Sequence, residues 1–197
     1  MNKIPSKITL LLMLLMGIAS KDGLAQFIPG IHQVSVSLSD NQYGIPFVRL
    51  APLHPGAEIG LTFLENEKGR NKQMVNGQVG FIQHGLLTNA AYLRLAYQFE
   101  ANIKQTIGLN VNFASGYIHG FYPGDGYHFD EQSGTYTPTQ IHQGFFLTSL
   151  GMGLSYLRPT KVKPFIRYEL NLLNFDSQNL ISSLHLGIAI HLKKKAK

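Results

Sequence analysis

The chain has 197 residues, a formal charge of +6, no cysteine, and only 14% charged residues beside 20 glycines, 9 tyrosines and 12 phenylalanines. The lack of cysteine excludes disulfides, thiolate metal ligands, a cysteine nucleophile and the lipid-modified cysteine of a lipoprotein. Soluble domains carry about 25% charged residues, so this composition offers too little charge for a surface that is fully exposed to water.

The N-terminal segment predicts a signal peptide. Two lysines precede a short apolar run, and small residues follow it as far as residue 25. We expect residues 1–25 to be cleaved off, with cleavage after Ala19 as the alternative. One domain over residues 26–192 and a basic periplasmic tail over 193–197 would remain. The apolar run is shorter than the about 20 residues that a transmembrane helix needs.

Removal of the signal peptide also lowers the net charge, which matters for the class of partner. Removing the signal takes away three lysines and one aspartate, which lowers the formal charge from +6 to +4. No basic stretch is interleaved with aromatic residues as in a nucleic-acid-binding module, so we exclude a nucleic-acid partner.

Alternation of apolar with small or polar residues predicts about eight β-strands in the mature chain. The segments are 34–38, 59–63, 75–81, 91–99, 107–117, 146–156, 166–172 and 183–192. Residues 43–51 could themselves form a strand, interrupted by Pro46, which would give nine strands if they crossed as well. Bacterial single-chain barrels have even strand numbers, so we expect one of the two N-terminal segments not to cross.

The second face of these segments decides between a soluble barrel and a membrane barrel. Its residues are mainly glycine, alanine, serine, asparagine, glutamine and histidine, small enough to fill the lumen of an eight-stranded barrel. The 9 lysines after the signal all lie outside the segments, at Lys68, Lys72, Lys104, Lys161, Lys163 and in the tail. The pattern therefore predicts an all-β fold, a single antiparallel transmembrane β-barrel of up-and-down topology, closed because hydrocarbon tolerates no open sheet edge.

Residues 120–139 are the longest predicted strand-free stretch. Membrane barrels have short periplasmic turns and longer outer loops, so we expect this stretch at the outer end. The lysines then lie at the periplasmic rim. The outer rim receives the acidic residues Asp40, Asp125, Asp130, Glu131 and Asp176.

The last predicted strand runs His185-Leu186-Gly187-Ile188-Ala189-Ile190-His191-Leu192. It resembles the C-terminal signal that the barrel-assembly machinery recognises, although that signal usually ends on an aromatic residue and Leu192 stands here. Over its mature length the chain resembles the small outer-membrane β-barrel proteins of diderm bacteria. The resemblance implies an outer-membrane location, contact with outer-membrane lipid and lipopolysaccharide, and the assembly machinery as a partner during biogenesis. Members differ in activity, so function does not transfer with the fold.

Four charged residues face the predicted lumen or its ends, namely Arg94, Glu100, Arg167 and Glu169. Buried charges must be paired or hydrogen-bonded, so we predict a salt-bridge network that fills the lumen. The alternative is the selectivity ring of a small, porin-like channel, which would need a wider barrel than eight strands give.

The lumen-facing positions toward the outer end are apolar. They are Ile82, Tyr92, Ile118, Phe145, Leu147 and Leu173. We interpret them as a plug beneath the loops. The alternative is an apolar cup that binds a hydrophobic small molecule or an acyl chain, since barrel mouths are favoured ligand sites.

The predicted outer loop contains nitrogen and oxygen donors at His119, Asp125, His128, Asp130 and Glu131. Such donors are typical of metal ligands, but their spacing matches no ligand motif, so we expect solvated residues, no metal and no cofactor. The aromatic, turn-rich tract 121–127 is suited to contact with lipopolysaccharide sugars or with a partner protein.

For catalysis, the pairs His142 with Ser149 and His185 with Ser183 contain a base and a hydroxyl, but they have no local signature. We therefore predict a non-enzymatic outer-membrane barrel with a filled lumen, whose loops contact lipid, a glycan or a protein. The alternatives are a lipid-modifying enzyme or hydrophobic-ligand carrier that uses the apolar cup, and a secreted soluble barrel.

Overall fold

The computed structural model describes most of the chain after the predicted signal peptide. The described residues are 30–44, 53–83, 89–104, 106–130, 134–157, 161–174 and 176–192. The predicted signal peptide, the basic tail and most of the segment 43–51 lie outside these ranges. Among the described residues, no helix is long and apolar enough to cross a bilayer.

Eight strands form one closed barrel. Their bounds are β1 Gln33–Tyr43, β2 Pro55–Lys68, β3 Asn71–Gln83, β4 Asn89–Lys104, β5 Ile107–Asp130, β6 Thr135–Tyr156, β7 Val162–Leu173 and β8 Asp176–His191. Each strand pairs antiparallel with the next, and β8 pairs with β1 from Gln33 opposite His191 to Tyr43 opposite Ile181. The prediction of an all-β, up-and-down barrel of eight strands is confirmed. Each predicted segment corresponds to one strand.

The side chains of the wall sort by face. Outward positions carry large apolar residues, such as Leu95, Leu150 and Leu186, which are 64%, 58% and 60% exposed. Inward positions carry small or polar residues, and Ser149 and Ser183 are buried. Small inward residues fit the narrow interior of an eight-stranded barrel.

The hairpin between β5 and β6 extends beyond the wall. Pairing of β5 with β4 ends at Phe121, whereas pairing of β5 with β6 continues to Asp130 opposite Thr135. We call residues 122–130 and 135–141 the ribbon. Its six paired positions past the bulge span about 20 Å, at the rise of an antiparallel strand.

The prediction that residues 120–139 form a strand-free loop is therefore wrong. The proline and glycine at 123 and 124 fall in a bulge between Phe121 and Asp125, where they interrupt the register without ending the hairpin. Aromatic and threonine residues beyond the bulge favour the extended conformation. Since the ribbon has no packed lumen on one side, its sequence lacks the alternation that marks the wall.

The strand ends that carry the chain termini lie at one end of the barrel, opposite the ribbon. β1 begins and β8 ends at the same end, called here the terminal end, together with the β2–β3, β4–β5 and β6–β7 turns. In the first of these turns Gly69 has a φ of 62°, which glycine adopts without steric strain. Asp40 and Asp176 lie at the opposite, ribbon end. Which end faces outward stays a prediction.

Four lysines lie within strands, contrary to the prediction that all lie outside them. Lys68, Lys72, Lys104 and Lys163 occupy the first or last two residues of β2, β3, β4 and β7 at the terminal end. The strands extend beyond the alternating segments to the rim of the barrel, so these four lysines lie outside the apolar band. Lys72 points inward and pairs with Glu65 at 3.0 Å.

Candidate functional site

The middle of the lumen holds a network of two arginines and two glutamates. Glu58 on β2, Arg94 on β4, and Arg167 and Glu169 on β7 are 5% exposed or less. Arg94 Nη2 donates to Glu58 Oε2 at 2.6 Å and to Glu169 Oε2 at 2.7 Å. Arg167 Nη2 donates to Glu58 Oε1 at 2.6 Å, and its Nε lies 2.8 Å from Glu169 Oε1. Each carboxylate therefore lies between both guanidinium groups, and the formal charges cancel.

Neutral side chains add further hydrogen bonds to these charges. The Tyr92 hydroxyl donates to Glu58 Oε2 at 2.8 Å, and the Asn112 amide donates to Glu169 Oε1 at 2.6 Å. Arg94 Nη1 donates to Ser149 Oγ at 2.9 Å. Burying charges is costly unless each is paired and hydrogen-bonded, and these contacts meet that condition at both carboxylates.

The structure divides the four predicted lumen charges into two groups. Arg94, Arg167 and Glu169 share the central network, which Glu58 completes. Glu100 lies apart, where its carboxylate accepts hydrogen bonds from Lys163 Nζ at 2.8 Å and Ser155 Oγ at 2.7 Å.

Sequence reasoning missed Glu58 and Lys163. Glu58 shares its face with Gly60 and Thr62, so the alternation of β2 contained the signal. Lys163 lies outside the predicted segment, which begins at Ile166, whereas β7 begins at Val162.

Above the network, toward the ribbon end, the lumen is apolar. Buried side chains there form one cluster of Ile82, Ala90, Tyr92, Ile118, Leu147, Leu173 and Ile181, with Phe145 packed against it. All six residues of the predicted apolar plug or cup thus lie together. The Tyr92 ring lies directly over Gly80, where any Cβ would collide with it. This glycine lets the ring point its hydroxyl down to Glu58.

Two small cavities border the network. One, of about 10 Å³, is lined by Tyr92, Arg94 and Glu169 below the apolar cluster. The other, of about 30 Å³, is lined by polar residues toward the terminal end, including Asn76 and Arg167. A water molecule needs roughly 10–15 Å³ of such space. Each cavity is therefore sized for one or a few waters, and neither offers room for an acyl chain.

The predicted base and hydroxyl pairs do not form. His142 is exposed whereas Ser149 is buried, and Ser183 Oγ donates instead to Asn41 Oδ1 at 2.7 Å. A different trio is present, which sequence reasoning missed because its members lie on three strands. His185 Nδ1 lies 3.4 Å from Ser37 Oγ, and His185 Nε2 lies 3.3 Å from Glu169 Oε2.

The predicted donor set of the outer loop is only partly described. His119 is on β5, and the side chains of Asp125, His128 and Asp130 lie outside the described part of the structure, as does Glu131. Within that described part, no group of three or more His, Cys, Asp or Glu side chains is arranged to hold a metal ion.

The chain is similar in fold to several solved structures. For the attachment invasion locus protein Ail of Yersinia pestis, the TM-score is 0.50 at 11% identity, over 83% of this chain and 99% of Ail. For Neisserial surface protein A the values are 0.49 and 9%, over 82% and 96% of the chains. For the outer membrane enzyme PagL they are 0.47 and 12%, over 80% and 98%. No protein-family model and no curated protein sequence matches the chain. At such identity the likeness to Ail shows a shared fold alone.

Proposed function

We propose that this chain is an integral outer-membrane protein of a diderm bacterium, exported by its N-terminal segment, without enzymatic activity. The observation that carries the proposal is the inverted polarity of the wall. Charged Glu58, Arg94, Arg167 and Glu169 are buried inside, while large apolar side chains cover the outside. Water would penalise that apolar surface, whereas lipid hydrocarbon accepts it.

Strand length and closure support the same location. The shortest strand, β1, has 11 residues, and a transmembrane strand needs about 9–11 residues when tilted. Hydrocarbon cannot satisfy unpaired backbone groups, so a spanning sheet must close on itself. The β1–β8 pairing meets that requirement.

The lumen is proposed to be filled and non-conducting. The neutral Arg–Glu network lies between the two cavities, of about 10 and 30 Å³, and the apolar cluster lies between the network and the ribbon end. A barrel of eight strands has an interior just wide enough for its own side chains. The protein would therefore act through its surface.

The ribbon is the proposed interaction surface. Tyr127, Phe129 and Tyr136 share one face of it, because Phe129 lies opposite Tyr136 and Tyr127 is two residues away. Their exposed fractions are 66%, 46% and 69%, and the rings of Phe129 and Tyr136 lie 5.1 Å apart. Exposed aromatic side chains with polar hydroxyls are typical of binding surfaces. We assign them to lipopolysaccharide sugars, a surface glycan or a surface protein.

Two other partners belong to this proposal. Outer-membrane lipid would surround the apolar band of the wall. The barrel-assembly machinery would engage β8 during insertion, through the pattern from His185 to Leu192.

A lipid-modifying enzyme is the second candidate, and the trio Ser37, His185 and Glu169 favours it. A hydroxyl, an imidazole and a carboxylate in a chain are the elements of an activated nucleophile. However, Ser37 is 3% exposed and Glu169 is already engaged by both arginines. A substrate ester could reach Ser37 only if the central network opened. The trio is therefore assigned to packing of the lumen.

Expression with the native N-terminal segment in a diderm host tests the location. We expect the protein in the outer-membrane fraction, with faster gel mobility before boiling than after, because a closed barrel resists detergent unfolding. A protein that stays in the soluble periplasmic fraction without detergent would contradict the proposal and favour the secreted soluble barrel.

Reconstitution in phospholipid vesicles separates the two functional candidates. The proposal expects neither ion conductance nor release of fatty acid from the lipid. Fatty-acid release that disappears in Ser37→Ala, with the barrel still folded, would instead establish the enzyme.

A further inference from the structure

Two histidines share the outward face of the wall where it meets the ribbon. His119 lies on β5 opposite Gly144, and His142 lies on β6 opposite Phe121. They are therefore diagonal cross-strand neighbours, a spacing that long or aromatic side chains can bridge. Their ring centroids are 5.3 Å apart, with 33° between the ring planes.

Neighbouring side chains fix the orientation of His119. The Tyr117 hydroxyl lies 3.0 Å from His119 Nδ1, and the Phe121 ring packs edge-on at 4.8 Å. Tyr117 reaches this position across Gly144, because a Cβ there would collide with the tyrosine ring and hydroxyl. A hydrogen bond at one imidazole nitrogen sets the ring orientation and directs the other nitrogen to a ligand, as around metal-bound histidines.

We propose that His119 and His142 together bind one late first-row divalent cation, such as Zn²⁺, through their imidazole nitrogens. A zinc–nitrogen bond of about 2.0–2.1 Å places each imidazole centroid about 3.2 Å from the metal, and two such rings at a tetrahedral angle lie about 5.2 Å apart. The 5.3 Å separation of the two centroids matches this distance. Imidazole suits zinc, copper and nickel, whereas magnesium and calcium prefer oxygen ligands.

The pair lies at the edge of the wall, next to the ribbon, and its exposure determines what kind of site it forms. His142 is exposed and His119 is partly exposed, so an ion can enter without rearrangement of the barrel. Among the described residues no third histidine or carboxylate joins the pair. Water or a donor from a second molecule would complete the coordination, as at zinc sites that keep open positions.

Calorimetric titration of the folded, tag-free protein with Zn²⁺ tests the proposal, with gel mobility before boiling confirming that each variant is folded. We expect binding of one equivalent. His119→Gln and His142→Gln should each weaken it by more than about 100-fold, since loss of a ligand exceeds the 10–100-fold effect of losing an outer hydrogen-bond partner. Tyr117→Phe should weaken it by about 10–100-fold.

The chain has 8 histidines, so matched controls are needed. His32→Gln and His191→Gln, both at the terminal end, should leave the affinity unchanged. Loss of both imidazoles should also remove nitrogen coupling from the electron paramagnetic resonance spectrum of bound Cu²⁺. The proposal is overturned if the wild-type protein binds no Zn²⁺, if His142→Gln binds Zn²⁺ with wild-type affinity, or if binding is lost in either control.

Discussion

The barrel wall and the ribbon are both built from β5 and β6, and they differ in what surrounds them. In the wall, neighbouring residues of β5 meet opposite environments: Ala114 is fully buried at 0% and Phe113 is 54% exposed. In the ribbon, no described side chain is buried, and Tyr136 is 69% exposed. Strand pairing alone therefore suffices for the extended conformation of the ribbon. The wall differs from the ribbon because its inner side chains are packed and its outer surface is apolar.

From this difference we expect the wall to determine the stability of the protein and the ribbon to determine its binding to partners. The buried side chains and the buried charge pairs lie in the wall, so substitutions there should change the free energy of unfolding. The ribbon adds backbone pairing and exposed aromatic rings, so changes there should affect binding more than folding. Four measurements test this division.

The largest effect is expected from Glu169→Gln in the central network. It leaves Arg94 and Arg167 with Glu58 as their shared carboxylate, and breaking a buried ion pair in this way typically costs about 3–5 kcal/mol. Urea-induced unfolding in lipid vesicles should show that loss in the free energy of unfolding. Glu67→Gln, an exposed change near the rim, should stay within about 0.5 kcal/mol. Equal losses in both variants would show that the network adds no specific stability.

The same charges show how far the sequence predicts the site. Alternation along β4 and β7 places Arg94, Arg167 and Glu169 on the inner face, and the structure agrees. Alternation does not give the height of a residue along the lumen, and Arg94 and Glu169 are 75 residues apart in the chain. Their pairing therefore depends on register across the barrel. Glu58 was missed because the predicted segment begins at Ile59, one residue after it, whereas β2 begins at Pro55.

The residue pattern predicts the strands of the wall, but it does not predict the ribbon. Every strand of the wall has one face toward the lumen and one toward the outside, so small or polar residues alternate with large apolar ones. In the ribbon that constraint is absent, and the proline and glycine before Asp125 predict a loop where the backbone forms a bulge. The His185–Glu169 contact joins diagonal neighbours on β7 and β8, so it too depends on register, which alternation does not give.

The second largest effect is expected from Leu150→Arg on the outer face. Leu150 lies near the middle of the part of β6 that belongs to the wall, residues 142–156, and is 58% exposed. An arginine facing the bilayer midplane costs about 2–4 kcal/mol. Unfolding in lipid vesicles measures the change. Tyr136→Arg, on the ribbon, should change stability by less than about 0.5 kcal/mol. A neutral Leu150→Arg would show that this face meets water.

A smaller effect is expected from Tyr92→Phe, which removes the hydroxyl that donates to Glu58 at 2.8 Å. A hydrogen bond to a charged group contributes about 1.5–3 kcal/mol, so the free energy of unfolding should fall by that amount. Tyr97→Phe is the matched control, since Tyr97 lies on the outer face of the same strand and is 47% exposed. If both variants lose the same stability, the hydroxyl of Tyr92 has no special role in the network.

The smallest effect on stability is expected from removing the ribbon. Replacing residues 122–141 with a two-residue Asn-Gly turn joins Phe121 to His142, which already lie opposite each other. That dipeptide favours a tight hairpin. Each doubling of loop length changes the closure free energy by only about 0.6 kcal/mol. We therefore expect unfolding in vesicles within about 1 kcal/mol of the full chain, and unchanged gel mobility before boiling relative to a size-matched standard.

Binding to lipopolysaccharide, glycans or surface proteins should instead be lost with the ribbon. Tyr136→Ser, in the full-length ribbon, provides the matched control, because it removes one exposed ring and retains the hairpin. If the shortened chain fails to close, or loses 3 kcal/mol or more, on the scale of a broken buried ion pair, about 3–5 kcal/mol, the ribbon belongs to the folding unit of the wall. Stability would then depend on backbone pairing beyond the last β4 partner, and the separation of wall from ribbon would fail.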